Sequence, residues 1–285
     1  MSLMNRGFDP KPLKGMVCLD LDGTLLNQDN TVTERNRRSL LGCLERGLQV
    51  YFVTGRPYCF TKGLAQSIDS RIGVIASAGS CYEKDGQLVQ YEIEQEAVER
   101  MVELLAEQPT THAFFKGLKS FYTHEPYDRR FLYDHMNAQF PEDLQVQSFT
   151  ELSYVELKRM ASHIHKILVY DMEKQRLDEF EKQVCAISSL SVSRYNDISI
   201  DVNAMGTDKG IAIKDIMNHL GLEKNQVLAI GDAPNDEAMF REAGIRIAMR
   251  NAKPEIKEMC QYVTGSNRED GVAQILEEPE RYFQS

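Results

Sequence analysis

Residues 16–25 read Met-Val-Cys-Leu-Asp-Leu-Asp-Gly-Thr-Leu. Met16–Leu19 is an apolar run too short for a helix, and it stops at Asp20. Such a run, closed by polar residues, has the form of a strand buried in a parallel sheet. Asp20 and Asp22 stand two apart and point the same way while the chain stays extended. Gly23 then lets the backbone turn.

The same style recurs on both sides. Thr33–Leu44 reads as a helix with Thr33 as its cap, followed by the apolar run Leu48–Val53, which ends in Thr54-Gly55-Arg56. A helix at Tyr58–Ile68 leads to a short strand at Gly73–Ala76. In the last third, a helix at Asp208–Leu220 precedes Val227–Ile230, which ends in Gly231-Asp232-Ala233-Pro234-Asn235-Asp236. A helix through Phe240 and a strand at Ile245–Met249 follow. Strands alternating with helices predict a Rossmann-like, doubly wound α/β core with a parallel sheet.

The middle differs. A hairpin at Cys81–Ile93 turns at Asp85-Gly86, and helices are expected at Glu94–Glu107, near Tyr127–Ala138 and at Lys174–Cys185. Strands are expected at Ala113–Lys116, Ser120–Thr123, Lys166–Asp171, Leu190–Arg194 and Ser199–Val202. This mixture predicts an inserted α+β cap at 85–203, with the core formed by 1–84 and 204–285.

The chain has 285 residues, of which 42% are hydrophobic and 27% charged, with a formal net charge of −10. That is enough apolar material for one or two packed cores. The acidic excess argues against nucleic acid or an anionic membrane as partner, because the long-range field repels both. No run approaches the length of a membrane-spanning helix, and Met1 to Lys14 lacks the apolar stretch of a secretion signal. Six scattered cysteines without a C-x-x-C pair read as reduced, mostly buried thiols. A cytoplasmic protein is the expectation.

In doubly wound folds, ligands bind beyond the carboxyl ends of the strands, so the residues that follow the apolar runs are the candidates. Asp232 and Asp236 lie four apart, and a helix starting there aims both back at the sheet edge. Carboxylates from two strand ends make an all-oxygen site suited to Mg²⁺, and crowding four acids is costly without a cation. Taken singly, each feature has a plainer reading. Asp20 to Gly23 could be a polar turn, Asp232 and Asp236 could favour a helix N-terminus, and Lys209 could be a solvated charge.

Taken together, Asp20-Leu21-Asp22-Gly23-Thr24-Leu25, Thr54-Gly55-Arg56, Lys209 before Gly210, and Gly231-Asp232-x-x-Asn235-Asp236 resemble, in order, the four motifs of the haloacid dehalogenase-like (HAD) superfamily. The insertion between the second and third motifs resembles the Cof-type, sugar-phosphatase-like branch. The resemblance implies a phosphatase, using Mg²⁺, for a small phosphorylated metabolite such as a sugar phosphate. Asp20 would be the nucleophile that forms an aspartyl-phosphate. Asp22 would be the general acid and then base, and so protonated at the outset. Thr54, Gly55, Lys209 and Asn235 would bind the phosphoryl group. Asp20, the Asp22 carbonyl, Asp232 and Asp236 would hold the metal. A phosphomutase, or a phospho-ligand-binding module without turnover, are the alternatives. A dehalogenase fits less well, because an acid at Asp22 suits a leaving oxygen rather than a halide.

The sequence departs from the family pattern at Ala78-Gly79 and at Met249-Arg250-Asn251-Ala252. Arg250 is expected on the rim of the crevice, as a second anion contact, a cap anchor or a plain surface charge. Arg56 is open between a structural ion pair and a phosphate contact. His163 and His165 stand at strand spacing without a third ligand nearby. Phe114, Phe115, Phe121 and Tyr122 read as core, and Lys116, Lys119, Arg129 and Arg130 as a solvated face from which one or two could reach substrate.

Overall fold

In the computed structural model, which describes residues 14–126, 133 and 137–283, the strand expected at Met16–Leu19 (β1) is fully buried. The chain then lays down β2 (Gln49–Val53), β3 (Gly73–Ala76) and the hairpin β4 (Cys81–Lys84) and β5 (Gln87–Gln90). A second sheet follows: β6 (His112–Lys116), β7 (Ser120–Tyr122), β8 (Gln147–Phe149), β9 (Lys166–Tyr170), β10 (Leu190–Asn196) and β11 (Ser199–Ala204). The chain returns with β12 (Val227–Gly231), β13 (Ile245–Ala248) and β14 (Tyr262–Val263).

The larger sheet has the order β14-β13-β12-β1-β2-β3-β4-β5, parallel except for the hairpin. From β1 the chain winds one way to β3, and from β12 it winds the other way to β14. The strand order therefore reverses between β1 and β12, where doubly wound sheets open a crevice for ligands.

Alternation along the strands assigns the two faces. Val17, Leu19, Val50, Phe52, Leu228 and Ile230 pack with the helices Glu34–Glu45, Tyr58–Ile68 and Gly271–Leu276. Met16, Cys18, Val53 and Ala229 pack with Lys209–His219 and Glu237–Glu242. Thr33 caps the first of these helices, its hydroxyl accepting from the Asn36 amide at 3.2 Å.

The smaller sheet, of order β10-β11-β9-β6-β7-β8, is antiparallel but for the β7–β8 pair. One face, carrying Ala113, Phe115, Ile167, Val169, Ile200 and Val202, packs on Gln95–Glu107, Tyr154–Met160 and Lys174–Cys185. The hairpin turning at Asp85-Gly86, both at positive φ, pairs with β3, so its two strands belong to the larger sheet. The crossing expected at residue 85 therefore comes later, after Gln90, and the return follows Ala204. Phe121 joins Phe60 and Phe140 where the two sheets meet, while Phe115 lies in the smaller sheet's own core.

All six cysteines are free, and four of them are buried. No helix among the described residues is long and apolar enough to cross a membrane. The helix expected near Tyr127–Ala138, with Arg129 and Arg130, lies largely outside the described residues.

Candidate active site

Asp20 leaves β1 at the point of strand reversal, its amide donating to the Ile230 carbonyl of β12 at 3.1 Å. The next residues turn tightly: the amides of Leu25 and Leu26 donate to the carbonyls of Asp20 and Leu21. Gly23 sits at φ +77, and a Cβ there would come within 2.2 Å of Asp232 Oδ2. Glycine is thus required twice, by conformation and by close approach. Asp232 is further held by the Thr24 hydroxyl (3.3 Å) and by Asn251 Nδ2 (3.1 Å), which also donates to the Gly23 carbonyl at 2.8 Å.

Lys209 opens its helix behind Asp208, whose side chain accepts from the Ile211 amide at 2.7 Å. Its buried ammonium bridges Asp20 Oδ1 and Asp236 Oδ1, each at 2.7 Å. The other Asp236 oxygen accepts from the amides of Asp232 (2.9 Å) and Ala233 (3.2 Å). Both oxygens of Asp236 therefore already have protein donors, and its carboxylate ties the loop after β12 to Lys209.

Asp20, Asp232 and Asp236 present oxygens within 4.8 Å of one another. Burial and the neighbouring Asp236 push the Asp20 carboxyl well above the usual range, against the pull of Lys209. Burial and the same neighbour raise Asp232 to about 7. Burial alone would lower Lys209, but Asp20 and Asp236 hold it firmly charged. Two of three crowded carboxylates disfavouring ionisation is the signature of a place short of positive charge. An all-oxygen set of this kind fits a hard divalent cation.

Asp22 is different. Arg56 grips it with two donors, Nε to Oδ2 at 2.9 Å and Nη2 to Oδ1, while Nη2 also reaches Asn30 Oδ1 at 3.0 Å. The guanidinium lies 4.6 Å from the Phe60 ring centre. Burial would raise the Asp22 carboxyl, but Arg56 outweighs it and holds the group below its ordinary value. The resemblance implies a protonated Asp22 at the outset, whereas its pairing with Arg56 favours the ionised form. Of the two readings of Arg56, the ion pair is the one observed.

Asp20, Asp22, Gly55, Arg56 and Asn235 line a cavity of about 180 Å³. The Asn235 carboxamide oxygen is buried there without a partner among the described residues. Thr54 is buried beneath, its hydroxyl accepting from the Arg56 amide at 3.2 Å. The expected site residues are thus brought together, with Lys209, Asp232 and Asp236 beside Asp20.

Arg250, His163 and His165 lie outside this cavity, and Arg250 is a surface charge. Arg250 pairs with Glu269 (2.9 Å) on the exposed rim, reaching neither the cavity nor the smaller sheet. His163 pairs with Glu92 at 3.0 Å. His165 turns to Gln90 at 3.3 Å, and positive φ at His163 breaks the strand alternation that would align the two rings. Asn251 was missed as a site residue, although it stands in the very phrase that departs from the family pattern.

The sequence model for haloacid dehalogenase-like hydrolases matches residues 17–276. The chain belongs to this family. Among its relatives, 5-amino-6-(5-phospho-D-ribitylamino)uracil phosphatase YcsE of Bacillus subtilis is 26% identical over 97% of this chain and 98% of its own. The phosphoglycolate phosphatase of Methanothermobacter thermautotrophicus is 23% identical over 91% of this chain and 96% of its own. A haloacid dehalogenase-like hydrolase structure from B. subtilis superposes with a TM-score of 0.78 at 23% identity, covering 92% of this chain and 99% of that one. That likeness concerns the fold: an α/β parallel-sheet core with an inserted second sheet is the architecture this hydrolase shares with it.

Proposed function

We propose that this hydrolase is a cytoplasmic, Mg²⁺-dependent phosphatase that cleaves a small phosphomonoester, a sugar phosphate or a related metabolite, through an aspartyl-phosphate on Asp20. The observation that carries the reading is the Lys209 bridge. It fixes Asp20 by one oxygen, Oδ1, and leaves the other for attack on phosphorus. The inserted sheet acts as the cap that covers the site and chooses the substrate.

In the first step an Asp20 oxygen bonds to phosphorus as the bond to the leaving oxygen breaks, and Asp22 gives that oxygen a proton. Asp22 must then hold a proton that its pairing with Arg56 disfavours. An arriving phosphoryl group offers the guanidinium another partner and so releases Asp22 to accept one. In the second step Asp22 takes a proton from water, which attacks phosphorus and frees Asp20. The ionised resting pair is the form this second step needs. Thr54, the Gly55 backbone, Lys209 and the unpartnered Asn235 carboxamide bind the phosphoryl oxygens.

Asp20, Asp232 and the Asp22 carbonyl would hold Mg²⁺, with Asp236 acting through water because its own oxygens are taken. The ion, when bound, supplies positive charge to the phosphoryl oxygens. Four carboxylates are then balanced by Lys209, Arg56 and the divalent ion, which leaves the arriving phosphate no net repulsion.

The test is phosphate release from a panel of phosphomonoesters with Mg²⁺ and no bisphosphate activator. Release from none by folded protein rejects the proposal, and turnover that depends on an added bisphosphate points to a mutase instead. Activity should vanish in EDTA, return with Mg²⁺ and fall in excess Ca²⁺, whose longer bonds misplace the nucleophile. Full activity in EDTA removes the metal from the reading.

The raised Asp232 adds a stability effect. In metal-free protein its contribution is fully present at low pH and is lost as pH rises through about 7. Metal-free protein should therefore melt at a lower temperature at pH 8 than at pH 6, and Mg²⁺ should narrow the gap. An equal gap with and without the ion argues against Asp232 as a ligand.

Asp22→Asn should slow alkyl phosphates by about 10²-fold or more, and p-nitrophenyl phosphate much less, when the first step limits turnover. Equal losses under that condition mean Asp22 is not the acid.

A further inference from the structure

The face of the smaller sheet opposite its core looks into the cavity. By strand alternation it carries Lys116 on β6, Lys166 and Leu168 on β9, and Asp201 on β11, and all four line the cavity with Asp20 and Asp22. Lys116 and Lys166 are direct cross-strand partners, an arrangement that like charges disfavour. Lys166 is neutralised by Asp201 at 2.6 Å and lies so close to the second motif that a Cβ on Gly55 would meet its Nζ at 2.3 Å.

Lys116 has no such paired carboxylate among the described residues. It is only 7% exposed and has no hydrogen-bond or ion-pair partner among the described residues. Asp22 does not serve, since both of its oxygens are held by Arg56. Asn235 lines the same cavity, and Lys209 lies behind it, held by Asp20 and Asp236. A buried ammonium without a partner is costly, and it marks a place where an anion is missing.

We propose that the leaving group of the substrate carries a second anionic group, a carboxylate or a further phosphate, which Lys116 receives from the cap side while Lys209 and Arg56 face the transferred phosphoryl group. This rests on the phosphatase reading above. Burial and the adjacent Lys166 lower Lys116 to about 7, and a bound anion would hold it charged.

The experiment compares kcat/KM, with Mg²⁺, for 3-phosphoglycerate, glycerol 1,3-bisphosphate and glycerol 3-phosphate, with p-nitrophenyl phosphate as a reporter of the chemistry alone. The first two differ from the third by a carboxylate or a phosphate in place of a hydroxyl-bearing group, so whichever is favoured identifies the anion. One of them should exceed glycerol 3-phosphate by about tenfold or more, as a charge-assisted contact implies. In Lys116→Met that ratio should collapse to within about twofold of unity, mainly through KM, and Lys116→Arg should keep part of it. A melting curve checks that the variants fold, and the wild-type ratio decides the matter if they do not.

A wild-type ratio near one, with p-nitrophenyl phosphate still cleaved, overturns the proposal and leaves the phosphatase reading standing. Equal losses for all four substrates in Lys116→Met assign the residue to the phosphoryl group and also overturn it. No cleavage of any of the four overturns this proposal, and the wider panel of phosphomonoesters then decides the phosphatase reading.

Discussion

Asp20→Asn should reduce phosphate release by on the order of four decades or more, leaving protein that is folded and, without metal, at least as stable as the parent. The amide is nearly the same shape and cannot attack phosphorus. The stability half of the expectation follows from the crowding. Asp20 is buried beside Asp236, and its carboxyl is pushed upward, so the fold gains nothing from its charge. Removing that charge relieves repulsion with Asp236 and Asp232 while Lys209 keeps its contact with Asp236. Steady-state release and a melting curve on the same preparation check both halves. Near-parental turnover in carefully purified Asp20→Asn would remove Asp20 from the mechanism, and a large fall in melting temperature would contradict the electrostatic account.

Lys209→Met is expected to harm both activity and folding. It leaves Asp20 and Asp236 buried without their shared counter-charge, a change that costs about 3–5 kcal/mol when one partner of a buried pair is removed. Mg²⁺ should recover part of that loss, because it adds positive charge beside Asp20, and lowering the pH should recover part as well, because protonated carboxyls no longer repel. Turnover should not recover with either, since Asp20 then lacks the contact that orients it. Denaturant melts with and without Mg²⁺ at two pH values, read beside phosphate release, check this. A variant as stable as the parent in metal-free buffer at pH 8 contradicts the role given to Lys209.

The core was legible because its signals are local. Each parallel strand is an apolar run that ends in the residues it presents, so Asp20, Thr54 and Asp232 could be placed at one sheet edge before any strand was paired. The reversal of strand order between β1 and β12 then puts two of those ends side by side.

What escaped depended on pairing. Ala113 with Phe115, Ile167 with Val169, and Ile200 with Val202 show the alternation of half-buried strands, which places Lys116, Lys166 and Asp201 on the opposite faces. Only the register of β6, β9 and β11 gathers them, and only the position of the smaller sheet turns a face that reads as solvated into the wall of a cavity. The grip of Arg56 on Asp22 likewise needs β1 and β2 to be neighbours and one rotamer to be chosen. The helix Tyr154–Met160 had a local signal that went unused, the capping box of Ser153 and Glu156.

Asn203, one residue before the end of β11, donates to the Ser77 carbonyl and the Ser80 hydroxyl in the turn between β3 and β4, each at 2.8 Å. Five residues after β11 ends, the chain delivers Lys209, and Gly79 packs so tightly on Asp208 that a Cβ would lie 2.1 Å from its carbonyl. The two junctions of the insertion are therefore unequal for anyone recombining this chain with another. The outgoing junction, beyond Gln90, carries none of the proposed catalytic groups and is open to a graft. The returning junction is part of the chemistry, and a chimera that exchanges the inserted segment has to rejoin the host before Asn203 if it is to keep Lys209 in place.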